Sequence, residues 1–145
     1  MSETRAPSAW IGFNQDIIDQ FRANGGSILR GQFTGRALLL LTTTGAKSGR
    51  QLTSPLAFTR AGDAYVVIAS KGGAPTNPDW YHNLVANPAV RVEVGTETFE
   101  AQARIAEGEE RERLFAAQAA LMPGFADYQR KTSRQIPVVV LERIG

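Results

Sequence analysis

Residues 37–50 read Ala-Leu-Leu-Leu-Leu-Thr-Thr-Thr-Gly-Ala-Lys-Ser-Gly-Arg. The short apolar run Ala37–Thr43 has no polar alternation, which predicts a strand covered on both faces. Thr44 to Arg50 is then a glycine loop carrying two cations. Thr53–Thr59 follows as the next strand, with Pro55 moving it towards a sheet edge or a bulge. Arg60-Ala61-Gly62-Asp63 is a turn, and Ala64–Ser70 is a third strand. Lys71-Gly72-Gly73-Ala74-Pro75-Thr76 makes a second glycine loop.

Working outward, Val90–Val94 alternates strictly, and Phe99, Ala101, Ala103 and Ile105 alternate with polar residues. Together they predict a hairpin with one buried face. Pro137–Leu141 is a last buried strand. Trp10, Ile11, Phe13, Ile17, Ile18 and Phe21 recur at helical spacing, giving an amphipathic helix over Ala9–Ala23, closed by Asn24-Gly25-Gly26. Its apolar face is read as covering the protein's own core, with a membrane surface as the other reading. Asn77-Pro78-Asp79 has the signs of a helix start, and Asn87-Pro88 of its stop. Glu109–Met122 is a helix interrupted by Pro123-Gly124, and Phe125–Lys131 a further helical turn. About six short strands and three or four helices give an α+β chain. Strands this short are expected to curl into a small split barrel with helices outside.

The 145 residues form one domain, with the N-terminal helix over 9–24 and the barrel core over 35–145. The absence of Cys excludes disulfides, thiolate metal sites, iron–sulfur clusters and a thiol nucleophile. One His excludes a His-rich metal site, and no metal is expected. Met1–Ser8 has no apolar core, so it is not read as a secretory signal. A cytoplasmic protein is expected, in contact with the inner face of the membrane if its first helix binds lipid.

The net charge of +2 hides an uneven distribution. Between Gln20 and Gly62 stand Arg22, Arg30, Arg36, Lys47, Arg50 and Arg60, with no Asp or Glu. Such a segment creates a local positive potential. The cations are not gathered on one helix, and aromatic interleaving is absent, so nucleic acid is not an expected partner. A simple meander of the first three strands brings both glycine loops to one end of the sheet, about 10 Å apart. Lys47, Arg50 and Lys71 then surround one volume, beside the helix start at Pro78. Backbone N–H groups, cations and a helix N-terminus together favour an anion such as a phosphate or a polycarboxylate.

The loop is not a phosphate-binding P-loop, because Ala46 rather than Gly precedes Lys47, and no dinucleotide fingerprint opens a helix. His82 is a candidate general acid, although a lone His here is more often structural. Tyr128 is a proton donor or a packing residue. Glu109 and Glu110 read as a solvated helix start. Few acid–base groups and no metal ligands suit chemistry carried by a cofactor, and hydride transfer fits.

The segments Leu38–Gly49, Ala69–Ala74, Asn77–Tyr81, Asn83-Leu84, Ala86–Pro88, Asp127–Gln129 and Ile136–Val140 resemble the deazaflavin-dependent nitroreductases, the F420H2-dependent quinone reductase family. The resemblance implies a split β-barrel that binds coenzyme F420, a deazaflavin with a phosphate and a glutamate tail. The reduced form gives a hydride to a small quinone-like acceptor. The resemblance also implies a coenzyme site. Ala46, Lys47 and Ser48 hold the anionic part, with Arg50 beside them. Leu52, Thr53, Ser54, Pro55, Leu56 and Ala57 line the coenzyme, as do Ile68, Ala69, Ser70 and Lys71. Trp80, Tyr81 and Asn83 border it, and Phe125 closes it. Ser70 and Tyr128 match residues beside the acceptor and are the candidate catalytic residues. The family's best-known member has Arg where Ala46 and Leu52 stand, and Tyr where Phe125 and Ala57 stand. Arg50 is the residue expected to replace the lost charge. An FMN-binding split-barrel oxidoreductase and a non-catalytic deazaflavin or lipid carrier are the alternatives. The oligomer is expected to be a monomer or a homodimer.

Overall fold

The computed structural model describes residues 5–31 and 33–144, with side chains from residue 14 onward. Helix α1 spans Arg5–Ala23, and strands follow as β1 (Leu38–Thr44), β2 (Gln51–Ala57), β3 (Thr59–Ala61) and β4 (Ala64–Ile68). A short 3-10 turn, Lys71–Gly73, leads to α2 (Asp79–Ala86), the hairpin β5 (Ala89–Val94) and β6 (Glu97–Ile105), α3 (Gly108–Leu121), α4 (Gly124–Lys131) and β7 (Val138–Arg143). All pairings are antiparallel, in the order β2-β1-β5-β6-β7-β4-β3.

The two ends of that order, β2 and β3, are consecutive in the chain and separated only by Phe58. One bent run therefore pairs with β1 through its first half and with β4 through its second. This curls the sheet into a half-barrel. Phe58 sits at the corner with its ring 5.5 Å from Tyr65, which in turn lies 5.6 Å from Phe99.

The expected meander holds through the bent run, which pairs with β1 as β2 and with β4 as β3. The structure adds what the meander does not foresee: β2 itself does not pair with β4, and β5, β6 and β7 fill the other way round from β1 to β4. The physical reason is in β7. Val138 to Leu141 are all 1% exposed or less, and only an interior position between β6 and β4 pairs both edges of so apolar a strand. There are seven strands rather than six, because the run expected as Thr53–Thr59 starts at Gln51, breaks at Phe58 and resumes where a turn was expected. Pro55 itself is accommodated inside β2, opposite Leu40, on a strand with one paired edge.

The four leucines of β1 are buried on both faces, as their pattern predicts. Leu39 and Leu41 join the barrel interior with Val67, Trp80, Leu84, Val92 and Leu141. Leu38 and Leu40 face α1, meeting Ile17, Ile18, Phe21 and Ile28. The described part of α1 thus covers the protein's own core; the side chains of Trp10, Ile11 and Phe13, like residues Met1–Thr4, lie outside the described residues. Helix α3 covers the other face of β4 and β7 through Leu114 and Phe115. Among the described residues, no helix is long and apolar enough to cross a membrane.

The end of α1 is held against the β5–β6 turn. Gly26 adopts φ +95°, and a Cβ there would sit 2.7 Å from the Gly95 Cα. Both the backbone conformation and the space require glycine. We expect Gly26→Ala to cost about 2 kcal/mol or more, from left-handed strain plus the clash. Urea unfolding of the variant checks this, and an unchanged midpoint would contradict the close approach.

Candidate functional site

Two cavities lie side by side along β2 and the start of α2. The first has a volume of about 850 Å³. Its walls are Pro55–Phe58, Ile68, Ser70–Gly72, Trp80, Phe125 and Tyr128, with the segment around Arg36 and the α3–α4 connection at its edge. The second, about 710 Å³, is formed by Gly45–Ser48, Arg50–Leu52, Asp79, His82 and Asn83. Leu52 belongs to one and Pro55 to the other, as do Asp79 and its neighbours Pro78 and Trp80.

This divides the volume that the sequence assembles from Lys47, Arg50 and Lys71. Lys71 lines the first cavity, whereas Lys47 and Arg50 line the second. The first turn of α2 stands between them, because the loop after β1 is bound to α2 rather than to the second glycine loop. The Asn83 amide accepts from the Ala46 N–H at 3.1 Å and donates to the Thr43 hydroxyl at 3.1 Å. Asn87 donates to the Thr44 carbonyl at 3.3 Å.

Of the residues singled out from sequence, Pro55, Leu56, Ala57, Ile68, Ser70, Lys71, Trp80, Phe125 and Tyr128 line the first cavity. Ala46, Lys47, Ser48, Arg50, Leu52 and Asn83 line the second. Four line neither. The Thr53 hydroxyl is bonded to that of Thr42 at 2.8 Å, Ser54 is buried opposite Leu41, Ala69 is fully buried, and Tyr81 packs on the inner core. His82 is exposed in the second cavity, edge-on to Tyr81. Asn77 does not cap α2, which starts behind Pro78; its side-chain oxygen accepts from Arg134 instead.

The charge pattern sharpens in three dimensions. Away from the cavities, Arg22, Arg30, Arg91, Arg104 and Arg143 pair with carboxylates. Arg36 and Lys71 of the first cavity, and Lys47 and Arg50 of the second, have no carboxylate partner among the described residues. Asp79 is the one acid in either lining. Pairing elsewhere therefore leaves the excess positive potential at the site.

Both glycine loops are shaped for close approach. A Cβ on Gly45 would lie 2.5 Å from the Ser48 hydroxyl, which would have to turn away, and 3.1 Å from the Arg50 carbonyl, so the first loop is tightly folded at its base. In the second loop Lys71, Gly72 and Gly73 all have positive φ, at 48°, 65° and 85°. The left-handed Lys71 costs about 1–3 kcal/mol, the kind of strain that collects at functional sites. A Cβ on Gly73 would lie 2.9 Å from the Tyr128 carbonyl, so this glycine lets α4 rest on the loop.

Arg134 was not marked by any pattern of the sequence. Its half-buried guanidinium donates to the carbonyls of Ser70 at 2.8 Å, Ala74 at 2.9 Å and Ala69 at 3.3 Å, and to Asn77 Oδ1 at 2.6 Å. Burial lowers its pKa below the ordinary arginine value. A single arginine far along the chain, with no local spacing to its partners, gives no signal before the fold is known.

The chain matches the family model described as F420H(2)-dependent quinone reductase over residues 15–143. It is 44% identical over 108 residues to the F420H(2)-dependent quinone reductase of Mycobacterium tuberculosis strain H37Rv, covering 72% of each chain. Among solved structures it is similar to the F420-H2 dependent reductase FDR-A, at 44% identity and TM-score 0.69, over 74% of this chain and 95% of that one. It is also similar to a protein solved as a domain-swapped dimer, at 37% identity and TM-score 0.70, over 94% of this chain and 99% of that one.

The Asn83 bridge is testable without any ligand. Asn83→Leu removes the partner of the buried Thr43 hydroxyl and of the Ala46 N–H, and we expect a loss of about 1–3 kcal/mol. Amide hydrogen exchange should speed up across residues 45–50 while the β6 and β7 amides keep their order of protection. Unchanged exchange in the loop would show that Asn83 does not hold it.

Proposed function

The chain belongs to the F420H(2)-dependent quinone reductase family, whose hydride donor is reduced coenzyme F420, and we propose that here the deazaflavin ring occupies the first cavity and its anionic tail the second. The observation that carries this reading is the division of labour between two adjoining cavities. The first has Trp80, Pro55, Leu56 and Ile68 as flat or apolar walls and a volume suited to a ring with a small acceptor. The second offers Lys47 and Arg50 without carboxylate partners, and Lys47 and Ser48 N–H groups that have no partner among the described residues. These residues suit a phosphate and carboxylates.

When bound, the reduced coenzyme supplies a hydride. The protein binds, orients and dries the reacting pair. Lys47 and Arg50 fix the tail, and Trp80 with Pro55 sets the plane of the ring. A quinone taking up a hydride also needs one proton. Ser70 and Tyr128 carry the two side-chain hydroxyls in the lining of the first cavity, and neither is committed to a hydrogen bond among the described residues. Tyr128 meets Phe125 edge-on with ring centres 5.6 Å apart, so the apolar Phe125 sets the angle of the phenol. Ser70 and Tyr128 are thus the groups that hold the acceptor oxygen or pass it a proton.

A homodimer suits this reading, supported by the structural relative solved as a domain-swapped dimer. The described apolar residues of α1 already cover the core, so contact with the inner face of the membrane would fall to residues ahead of Asn14. A cytoplasmic enzyme accords with that.

Titration with F420, followed by its fluorescence, is the direct test, together with steady-state reduction of menadione by the reduced coenzyme. Lys47→Ala should weaken F420 binding by about tenfold at low salt, the lower end of what a charge-assisted hydrogen bond is worth because the side chain is exposed. An unchanged dissociation constant would remove Lys47 from the tail site, and absence of menadione turnover would leave a binding protein in place of the enzyme.

A further inference from the structure

We infer that Arg134 is a positioning residue: it holds the backbone of Ser70, Lys71 and Gly72 as an anion-binding nest on the wall of the first cavity, and this nest takes the acceptor oxygen on which negative charge collects during reduction. The inference rests on the proposed seating of the acceptor in that cavity.

The geometry follows from the peptide unit. A trans peptide carries its C=O and N–H on opposite sides. Arg134 draws the carbonyls of Ala69 and Ser70 towards itself, and it is not among the residues that line the cavity. The N–H groups sharing those peptides, of Ser70 and Lys71, therefore turn away from Arg134, on the side where Ser70, Lys71 and Gly72 line the cavity. Ser70 is right-handed, at φ −76° and ψ −37°, and Lys71 is left-handed, at φ 48°. That alternation makes successive N–H groups converge on one point. Among the described residues, the N–H groups of Ser70, Lys71 and Gly72 have no hydrogen-bond acceptor, whereas their neighbours Ala69 and Gly73 donate to Pro137 and Ser70. Ser70 is buried. Three unused donors, set by a strained lysine and a clamp behind them, are what an oxyanion needs and a neutral apolar ligand does not.

The reaction supplies such an oxyanion. When a quinone accepts a hydride, the hydrogen forms an O–H bond at one carbonyl oxygen, both C=O π bonds are lost as the ring becomes aromatic, and the electron pair comes to rest as negative charge on the other oxygen. A proton from a hydroxyl or water then completes the hydroquinone, and the donor of the established activity is left oxidised. Donors already aimed at that oxygen stabilise the charge without reorganising. Arginine suits the clamp because its planar fork reaches several carbonyls at once, which an ammonium does not.

The test compares two small probes on the coenzyme-free protein: 4-nitrophenol at a pH where it is the phenolate, and neutral nitrobenzene. The wild type should bind the phenolate about tenfold tighter. In Arg134→Lys the phenolate should weaken by about tenfold and nitrobenzene by less than about twofold. With menadione, kcat should fall by about tenfold while the F420 dissociation constant stays within about twofold. Asn77→Ala, which removes one anchor of the guanidinium, should move the same quantities in the same direction by less, and it serves if Arg134→Lys does not fold. A phenolate preference that stays at its wild-type size in folded Arg134→Lys, or in Asn77→Ala where Arg134→Lys does not fold, overturns the inference, as does equal weakening of both probes, which marks a merely structural arginine. The phenolate arm needs no coenzyme. Failure of F420 to bind the wild type would therefore defeat the proposed function without being confused with failure of the nest.

Discussion

The strand from Gln51 to Ala61 has to serve two partners, and the site is built around that constraint. Its first half pairs with β1 and its second with β4, so the chain must bend at Phe58. The bend brings the two ends of a seven-stranded sheet onto one continuous piece of backbone. It also makes that piece a common wall for both cavities, with Leu52 facing one and Pro55 to Phe58 facing the other. An open sheet of the same strands would carry the same residues without a shared wall. The aromatic stack of Phe58, Tyr65 and Phe99 gives the corner an apolar reason to form, and Arg60 closes over Tyr65 at 4.1 Å.

Helix α2 does the second part of the construction. It is only eight residues long and is held by side chains rather than by a capping residue of its own. Asn83 and Asn87 tie it to the end of β1, and Trp80 and Leu84 sink into the barrel. On its other side, Arg134 ties Asn77 to the second glycine loop. The helix thereby stands between a chamber with flat apolar walls, which also holds Arg36 and Lys71, and a second chamber lined by Lys47 and Arg50. Arg22, Arg30, Arg91, Arg104 and Arg143 are neutralised by nearby carboxylates, whereas Arg36, Lys71, Lys47 and Arg50 have no carboxylate partner among the described residues. Net charge alone hides this, because +2 is the residue of many cancelled pairs.

Much of the architecture was legible in the sequence, because it rests on periodicity. The strict alternation of Val90 to Val94 and the unbroken leucines of β1 each announce how many faces are covered, and the structure has them so. The glycines of both loops likewise mark tight backbone. Strand order was legible only in part. Short connections favour the meander of β1, the bent run and β4, which the structure has, but nothing local says that β7, the last strand of the chain, must enter beside β4. The meander sets both glycine loops at one end of the sheet, but the structure puts Lys71 in one cavity and Lys47 in the other, because α2 stands between them. Asn83 was visible as a member of the site, but its work, holding Ala46 and Thr43, is a tertiary fact. Arg134 stood outside every pattern because its partners, Ala69, Ser70, Ala74 and Asn77, are fifty-odd or more positions away.

The proposed function depends on one ligand being divided between two chambers, its ring in the first and its anionic tail in the second. The measurement that reaches it most directly is a salt titration of affinity for two compounds, intact F420 and its deazaflavin portion lacking the phosphate and glutamates. The intact coenzyme should lose affinity steadily as ionic strength rises, because its tail meets exposed cations. The tail-free ring should bind more weakly and show a shallower salt dependence. Identical affinities, or parallel salt curves for the two, would contradict a separate anion chamber and the assignment of the cavities built on it.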